Sequence, residues 1–186
     1  MRKVDITFSF AALICFLGWL DMELCVCFVA ALLVHELGHL LAMKLGGVPV
    51  RSFRLSAGGA VICGEFSGYR QEIACAVFGP VFSAVLAIIC ARQMPKLSVL
   101  SAVLGLVNLL PVYPLDGGRI LRGILLLHFE QGRAETILNR TTAAVCCLLM
   151  VAACWVTVEL QAGLWPIFAV LVILCRVGQA QVSEGY

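Results

Sequence analysis

Charged residues are scarce in this chain. Only 13% of its 186 residues are Asp, Glu, Lys or Arg, against about a quarter in soluble domains. Together with 62% hydrophobic residues and a mean hydropathy of +1.02, this scarcity excludes a soluble globular domain and indicates a polytopic membrane protein. The chain also lacks a lysine-rich tail, aromatic residues interleaved with basic ones and a phosphate-binding loop. We therefore expect no nucleic-acid partner.

Paired cysteine motifs are absent as well. None of the ten cysteines belongs to a C-x-x-C pair, and most lie in apolar runs, where a thiol behaves as a small hydrophobic side chain. The sequence therefore predicts neither a cysteine zinc site nor a disulfide framework. Histidine is rarer still, with three residues in the chain, so the positions of these three are informative.

Charges and glycines divide the chain into six apolar segments. They run over about Ile6–Leu20, Leu24–Leu45, Ile73–Cys90, Leu97–Leu115, Thr142–Val158 and Leu164–Cys175. A helix that crosses the ~30 Å hydrocarbon core needs about 20 residues, so the first, fifth and sixth segments must borrow flanking residues. The sequence predicts an all-α polytopic membrane protein with about six transmembrane helices, folded as a single domain over residues 1–186.

Basic residues are distributed unequally among the connections between these segments. With a cytoplasmic amino terminus, only Arg92 and Lys96 of the 13 Lys and Arg residues fall outside. The cytoplasmic side then holds Arg2, Lys3, Lys44, Arg51, Arg54, Arg70, Arg119, Arg122, Arg133, Arg140 and Arg176. Because cytoplasmic loops are enriched in Lys and Arg, we expect an integral, multi-pass protein with both termini in the cytoplasm.

The motif His35-Glu36-Leu37-Gly38-His39 lies inside the second apolar segment. Residues at i and i+4 share one helical face, so both imidazoles can reach one zinc ion, with Glu36 beside them to accept a proton from water. An acidic side chain at the bilayer centre costs ~2.5–3.5 kcal/mol on insertion scales, so Glu36 needs a polar partner or a water-filled cavity. The motif predicts a metal site. A buried polar cluster that only holds helices together is the alternative.

Catalytic zinc usually has three protein ligands and one open position. The candidates for the third ligand are Asp116, Glu65, Glu72 and His128. Asp116 is favoured because two prolines before it and two glycines after it break an apolar helix, which a membrane tolerates only where the backbone faces protein or a water cavity. A simple kink and cytoplasmic turn is the plainer interpretation. We expect both glutamates at the cytoplasmic interface and His128 as an interfacial histidine.

These residues occur in a familiar combination. An H-E-x-x-H in an early span, followed by Asn-x-x-Pro from Asn108 and by Leu-Asp-Gly from Leu115, resembles the site-2 protease family of intramembrane metalloproteases. The string Asn108–Leu121 and the small six-span size are similar to its sporulation stage IV protein FB-like branch, whose namesake releases a sigma factor from a membrane-tethered precursor. The resemblance covers roughly Leu24–Arg122, and Gly79-Pro80 also resembles the family's third span.

The resemblance implies a set of roles. His35, His39 and Asp116 would bind one Zn²⁺ per chain, Glu36 would be the catalytic carboxylate, and Asn108 would position the substrate or stabilise the oxyanion. The resemblance thus implies a zinc metalloendopeptidase that works within the lipid bilayer. Its substrate would be a membrane-tethered regulatory protein, such as a sigma-factor precursor in sporulation. A regulatory membrane protein would be a further partner. The branch commonly adds a nucleotide-sensing CBS domain, which we do not expect here.

The segment Gly46–Gly68, after the second span, is irregular. Val48–Leu55 partly alternates apolar and polar residues before Ser56-Ala57-Gly58-Gly59, which predicts a short β-like hairpin loop. Its free edge could pair with an extended substrate, because a peptide bond in a helix must unwind before it is cleaved. A plain cytoplasmic linker is the alternative.

Two other functions stay open. The chain could be a catalytically idle membrane scaffold that binds client proteins, or a metal transporter or metal sensor. The intact Glu36 argues against the scaffold, because metal binding alone does not require it. A transporter would place acidic or histidine residues along a path through several spans, and almost none occur beyond the motif residues.

Overall fold

A computed structural model describes residues 3–6, 8–56, 59–64, 66–159, 161 and 163–184 of the chain. It divides into two compact units, Met1–Leu109 and Leu110–Tyr186. In chain order the elements are β1 (Lys3–Ile6), α1 (Phe8–Leu20), α2 (Met22–Leu45), β2 (Val50–Ser56), β3 (Gly59–Gly64), α3 (Tyr69–Cys90), α4 (Pro95–Asn108), α5 (Asp116–His128), α6 (Gln131–Glu159) and α7 (Trp165–Glu184).

Helices α2, α3 and α4 form the core of the first unit. Cys27 and Ala31 of α2 are buried with Leu97 of α4, and Leu86 and Cys90 of α3 pack against them. The small side chains on α2 let the neighbouring helices come close, as is usual in membrane bundles. This packing brings the helix that carries the H-E-x-x-H motif against two others.

The starts of α2 and α4 are joined by charged side chains. The Asp21 carboxylate caps α2 by accepting a hydrogen bond from the Glu23 N–H at 2.9 Å. The Lys96 ammonium donates to Asp21 at 3.0 Å and to Glu23 at 2.6 Å. The hydrogen bond from Lys96 lowers the pKa of the Asp21 carboxyl, since it stabilises the ionised form. The amino-terminal ends of α2 and α4 therefore lie on one side of the unit.

The prediction of about six transmembrane helices is wrong. Among the described residues, only α2, α3 and α6, with 24, 22 and 29 residues, are long and apolar enough to cross a membrane. Shorter apolar helices cover Ala11–Leu20, Pro95–Asn108 and Pro166–Cys175. At ~1.5 Å per residue, a 14-residue helix such as α4 extends about 21 Å, less than the ~30 Å core.

The fourth predicted span shows the reason for part of this correction. Helix α4 ends at Asn108, whereas the apolar run continues to Leu115. Pro111 has no backbone N–H, and the residue before a proline is disfavoured in helical conformation, so an apolar sequence cannot continue as a helix here. The segment from 109 to 115 is non-helical.

The strands also differ from the predicted all-α fold with one short hairpin loop. The first unit contains a three-stranded sheet in the order β1-β2-β3. β1 pairs with β2 in parallel, Lys3 opposite Ser52, and β2 pairs with β3 in antiparallel orientation, Phe53 opposite Ile62. The first apolar segment is predicted to start at Ile6, but this residue belongs to β1. The pairing of β1 with β2 joins residues more than 40 positions apart, so a local sequence pattern cannot predict it.

Helices α5, α6 and α7 form the second unit. Val112 and Leu115, from the non-helical segment, are buried with Cys146 of α6, and Ile173 and Leu174 of α7 pack against them. A second cluster joins Leu125 of α5 to Ala134 and Leu138 of α6. The non-helical segment thus contributes buried side chains to the core of this unit.

Candidate metal centre

Helix α2 turns the ionisable residues of its H-E-x-x-H motif inward. His35, Glu36 and His39 are buried, at 2%, 6% and 7% exposure, whereas Leu33 and Leu37 are both 55% exposed. The ionisable residues of the motif therefore face protein rather than lipid, where polar partners can stabilise them. The motif is polar on its inner face only.

Helix α3 supplies a hydrogen-bond partner to each histidine. The Nδ1 of His39 lies 2.8 Å from the Cys75 carbonyl oxygen, and the Nδ1 of His35 lies 2.9 Å from the Ser83 hydroxyl oxygen. A carbonyl oxygen can only accept, so His39 is protonated at Nδ1, and in the neutral ring Nε2 then carries the lone pair. Metal-binding histidines in proteins are held in this way.

The two Nε2 atoms face each other. They are 3.2 Å apart, and the rings are oriented edge to face. Tetrahedral zinc with Zn–N bonds of about 2.0–2.1 Å holds two ligand nitrogens about 3.4 Å apart. With both rings protonated at Nδ1, the two Nε2 lone pairs face each other, and at this separation they suit a shared cation. The donor atoms of His35 and His39 thus fit a zinc ion.

Gly79 of α3 makes the space beside these nitrogens. A Cβ atom at Gly79 would overlap with Nε2 of His39 and would lie 2.9 Å from Nε2 of His35. On the opposing helix, a Cβ at Gly38 would meet the Phe78 carbonyl oxygen at 2.5 Å. The two glycines therefore let α2 and α3 approach closely while the space next to the imidazoles stays without a side chain.

Asp116, the favoured third ligand, begins α5 in the second unit and is 6% exposed. The guanidinium of Arg119, one turn later, is 3.9 Å from its carboxylate. A Cβ at Gly118 would overlap with the backbone of Val112 and Tyr113, so glycine is required where the non-helical segment passes against the start of α5. The break predicted around Asp116 is therefore a packed structure.

The other candidates lie elsewhere on their helices. Glu72 precedes Gly79 by seven residues on α3, which is about 10 Å along the axis at ~1.5 Å per residue. His128 is exposed at the far end of α5 from Asp116, and its ring donates to the Ile124 carbonyl at 2.9 Å. Glu65 lies outside the described residues.

Asn108, the residue assigned to the substrate or the oxyanion, ends α4 and is partly buried. Its side-chain amide donates to the Leu104 carbonyl at 2.9 Å, within its own helix. An asparagine amide has two N–H donors, so this bond accounts for one of them.

Ser83 was missed by the sequence analysis, although it is fully buried and contacts His35. A signal for it existed. Ser83 stands four residues after Gly79 in a largely apolar helix, so the two share one face of α3. A hydroxyl on that face of an apolar helix needs a polar partner, and His35 is one.

Known proteins resemble the chain in fold and in sequence. The solved structure of a site-2 protease from Methanocaldococcus jannaschii matches 96% of this chain and 90% of its own, with a TM-score of 0.73 at 22% identity. The chain therefore has the fold of a site-2 protease. Residues 92–149 match the model of peptidase family M50.

Two relatives extend this match. The stage IV sporulation protein FB of Bacillus subtilis is 29% identical over 167 residues, which cover 82% of this chain and 57% of that protein. A zinc metalloprotease of Methanocaldococcus jannaschii is 32% identical over 108 residues, covering 51% and 32%. The chain is thus related to the site-2 proteases of peptidase family M50, which confirms the resemblance found in its motifs. Its apolar helices and this family indicate an integral membrane protein. The chain spans less than two thirds of the length of these two relatives.

Proposed function

We propose that this protein is an intramembrane zinc metalloprotease that hydrolyses a peptide bond in a membrane-tethered protein. The observation that carries the proposal is the pair of histidine nitrogens, 3.2 Å apart and buried on one face of α2, with the Glu36 carboxylate next to one of them in sequence. Family M50 and the site-2 protease fold support the same activity.

His35 and His39 would bind one zinc ion through Nε2, and Asp116 would be the third ligand. Asp116 is buried at the first position of α5, and a carboxylate oxygen is a usual zinc ligand beside histidine, which supports this role. Bound zinc would supply Lewis acidity, which polarises a carbonyl and lowers the pKa of a water molecule toward about 7.

Glu36 would act as the general base and then as the general acid. Its carboxylate would accept a proton from the attacking water and pass that proton to the amine of the departing peptide. Asn108 would donate its second amide N–H to the carbonyl oxygen of the substrate, whose negative charge grows as water adds. Burial excludes bulk water from the Glu36 carboxylate, so this proton transfer would take place in a defined geometry.

The basic residues support a topology in which the turn between α3 and α4 and the start of α4, which hold only Arg92 and Lys96, lie on the outer side of the membrane. The contacts of Lys96 with Asp21 and Glu23 agree with it, because they join two segments that this topology puts on the same, outer side. The substrate would be a membrane-tethered regulatory protein, with a sigma-factor precursor in sporulation as the specific candidate, and a regulatory membrane protein would control access to the site.

The test is cleavage of a candidate substrate by the purified full chain in lipid vesicles. Zinc-loaded protein should release a shorter product, and a chelator should stop the reaction. Glu36→Gln keeps the shape of the side chain but removes the proton acceptor, so cleavage should fall ~10²–10⁴-fold while zinc stays bound. Glu72→Gln, the same change on α3, is the control and should cleave normally. Wild-type cleavage by Glu36→Gln would refute the mechanism. Binding of the substrate by every variant, with no cleavage by any, would favour the scaffold.

A further inference from the structure

We propose that Ser83 is a positioning residue that holds His35 in the orientation and tautomer needed for metal binding. The inference rests on the proposed function, because it concerns the same zinc site. The Ser83 hydroxyl oxygen is 2.9 Å from the His35 Nδ1, and both side chains are almost completely buried. A hydroxyl that accepts the Nδ1–H leaves the lone pair on Nε2, on the side that faces His39.

The two histidines are held by different kinds of partner. His39 donates to the backbone carbonyl of Cys75, which no side-chain substitution removes. His35 contacts a side chain, so its orientation depends on the identity of residue 83. Partners of this kind typically change metal affinity 10–100-fold when they are removed.

Ser83 is itself fixed by α4. The hydroxyl of Ser101 donates to the Ser83 carbonyl oxygen at 2.9 Å, and both residues have zero exposure. A Cβ at Gly105 would lie 3.0 Å from the Ser83 Cβ, so the glycine leaves the space that the serine side chain occupies. Helix α4 thus holds α3 at the level of Ser83, and α3 holds the ring of His35.

Loss of the hydroxyl should act on the histidine rather than on the fold. In Ser83→Ala the Nδ1–H of His35 would be buried without its acceptor, which favours ring rotation or transfer of the proton to Nε2. Either change takes the Nε2 lone pair away from the site. The substitution removes one oxygen atom and creates no overlap, so the helices should pack as before.

The experiment compares zinc binding by full-length wild type, Ser83→Ala and Ser98→Ala in detergent, by competition with a chromophoric chelator. Ser98 is the control, because its hydroxyl also joins two helices, donating from α4 to the Ala87 carbonyl oxygen of α3 at 2.6 Å, but does not contact a histidine. We expect 10–100-fold weaker zinc binding by Ser83→Ala and wild-type binding by Ser98→Ala. With cobalt in place of zinc, only Ser83→Ala should change the visible absorption bands.

Wild-type zinc affinity in Ser83→Ala would overturn the inference, as would an equal loss in Ser98→Ala, which would indicate a packing effect. Should Ser83→Ala not fold, Ser83→Cys decides the matter, since sulfur fills the space but accepts a hydrogen bond weakly; unchanged zinc affinity there also overturns the inference. Absence of zinc binding by the wild type would instead refute the proposed function itself.

Discussion

Gly79→Ala should weaken metal binding at the histidine pair although it adds only one uncharged methyl group. The new Cβ would overlap with Nε2 of His39 and lie 2.9 Å from Nε2 of His35. Moving helix α3 away from α2 would lose the close packing at Gly38, where the absence of a side chain lets Phe78 and Gly79 approach the α2 backbone. The imidazoles must therefore rotate out of the arrangement that fits a cation.

The magnitude follows from the cost of overpacking. Adding a methyl group to a closely packed interior costs about 1–3 kcal/mol, and most of this cost falls on the arrangement in which both Nε2 atoms converge. The apparent zinc affinity should consequently fall about 5- to 150-fold, at ~1.4 kcal/mol for each factor of ten. The thermal unfolding temperature without zinc should change less, because rotated imidazoles relieve the overlap.

Zinc competition and thermal unfolding of Gly79→Ala test this reasoning. Gly132→Ala is the matched control, since a Cβ at this helical position of α6 would meet no atom within 4 Å. It should bind zinc like the wild type and unfold at the same temperature or slightly higher, because alanine is the better helix former. Equal zinc affinity in the two variants would refute the assignment of the space next to Gly79 to the metal.

Two further predictions concern the third ligand and the topology. Asp116→Ala should lose zinc as His35→Ala does, whereas Glu72→Ala should retain it. Atomic absorption measures the bound zinc of each variant. Loss of zinc by the Glu72 variant alone would contradict the ligand assignment. A cysteine introduced as Met94→Cys in a cysteine-free background should react with an impermeant maleimide from the outside of intact cells; labelling from the cytoplasmic side alone would reverse the orientation.

The chemistry of the centre could be predicted from the sequence because it depends on local spacing. Two histidines at i and i+4 share a helical face in any α-helix, and the apolar residues around them make that helix certain to form. The prolines before Asp116 and the glycines after it likewise predict a break in a helix from backbone chemistry alone. The family resemblance was visible for the same reason, since it is carried by short motifs.

The number of membrane-spanning helices and the sheet could not be predicted in this way. Apolar composition does not reveal where a helix ends, so the fourth predicted span continued past Asn108 although Pro111 prevents it. The pairing of β1 with β2 joins residues that are distant in sequence, and no local pattern records it. A hydropathy profile locates the apolar residues of the sequence. The length of each helix and the pairing of each strand depend on contacts that form as the chain folds.

The sequence by itself determined which residues can bind a metal and move a proton, because ligand type and helical spacing are properties of a few neighbouring residues. Only the tertiary structure decided what holds those residues. It packs Gly79 and Ser83 of α3 against the two histidines, and it puts Ser101 and Gly105 of α4 behind Ser83. These contacts join separate helices across the interior. They arise from the close approach of three backbones, which depends on the whole packed bundle rather than on any one segment.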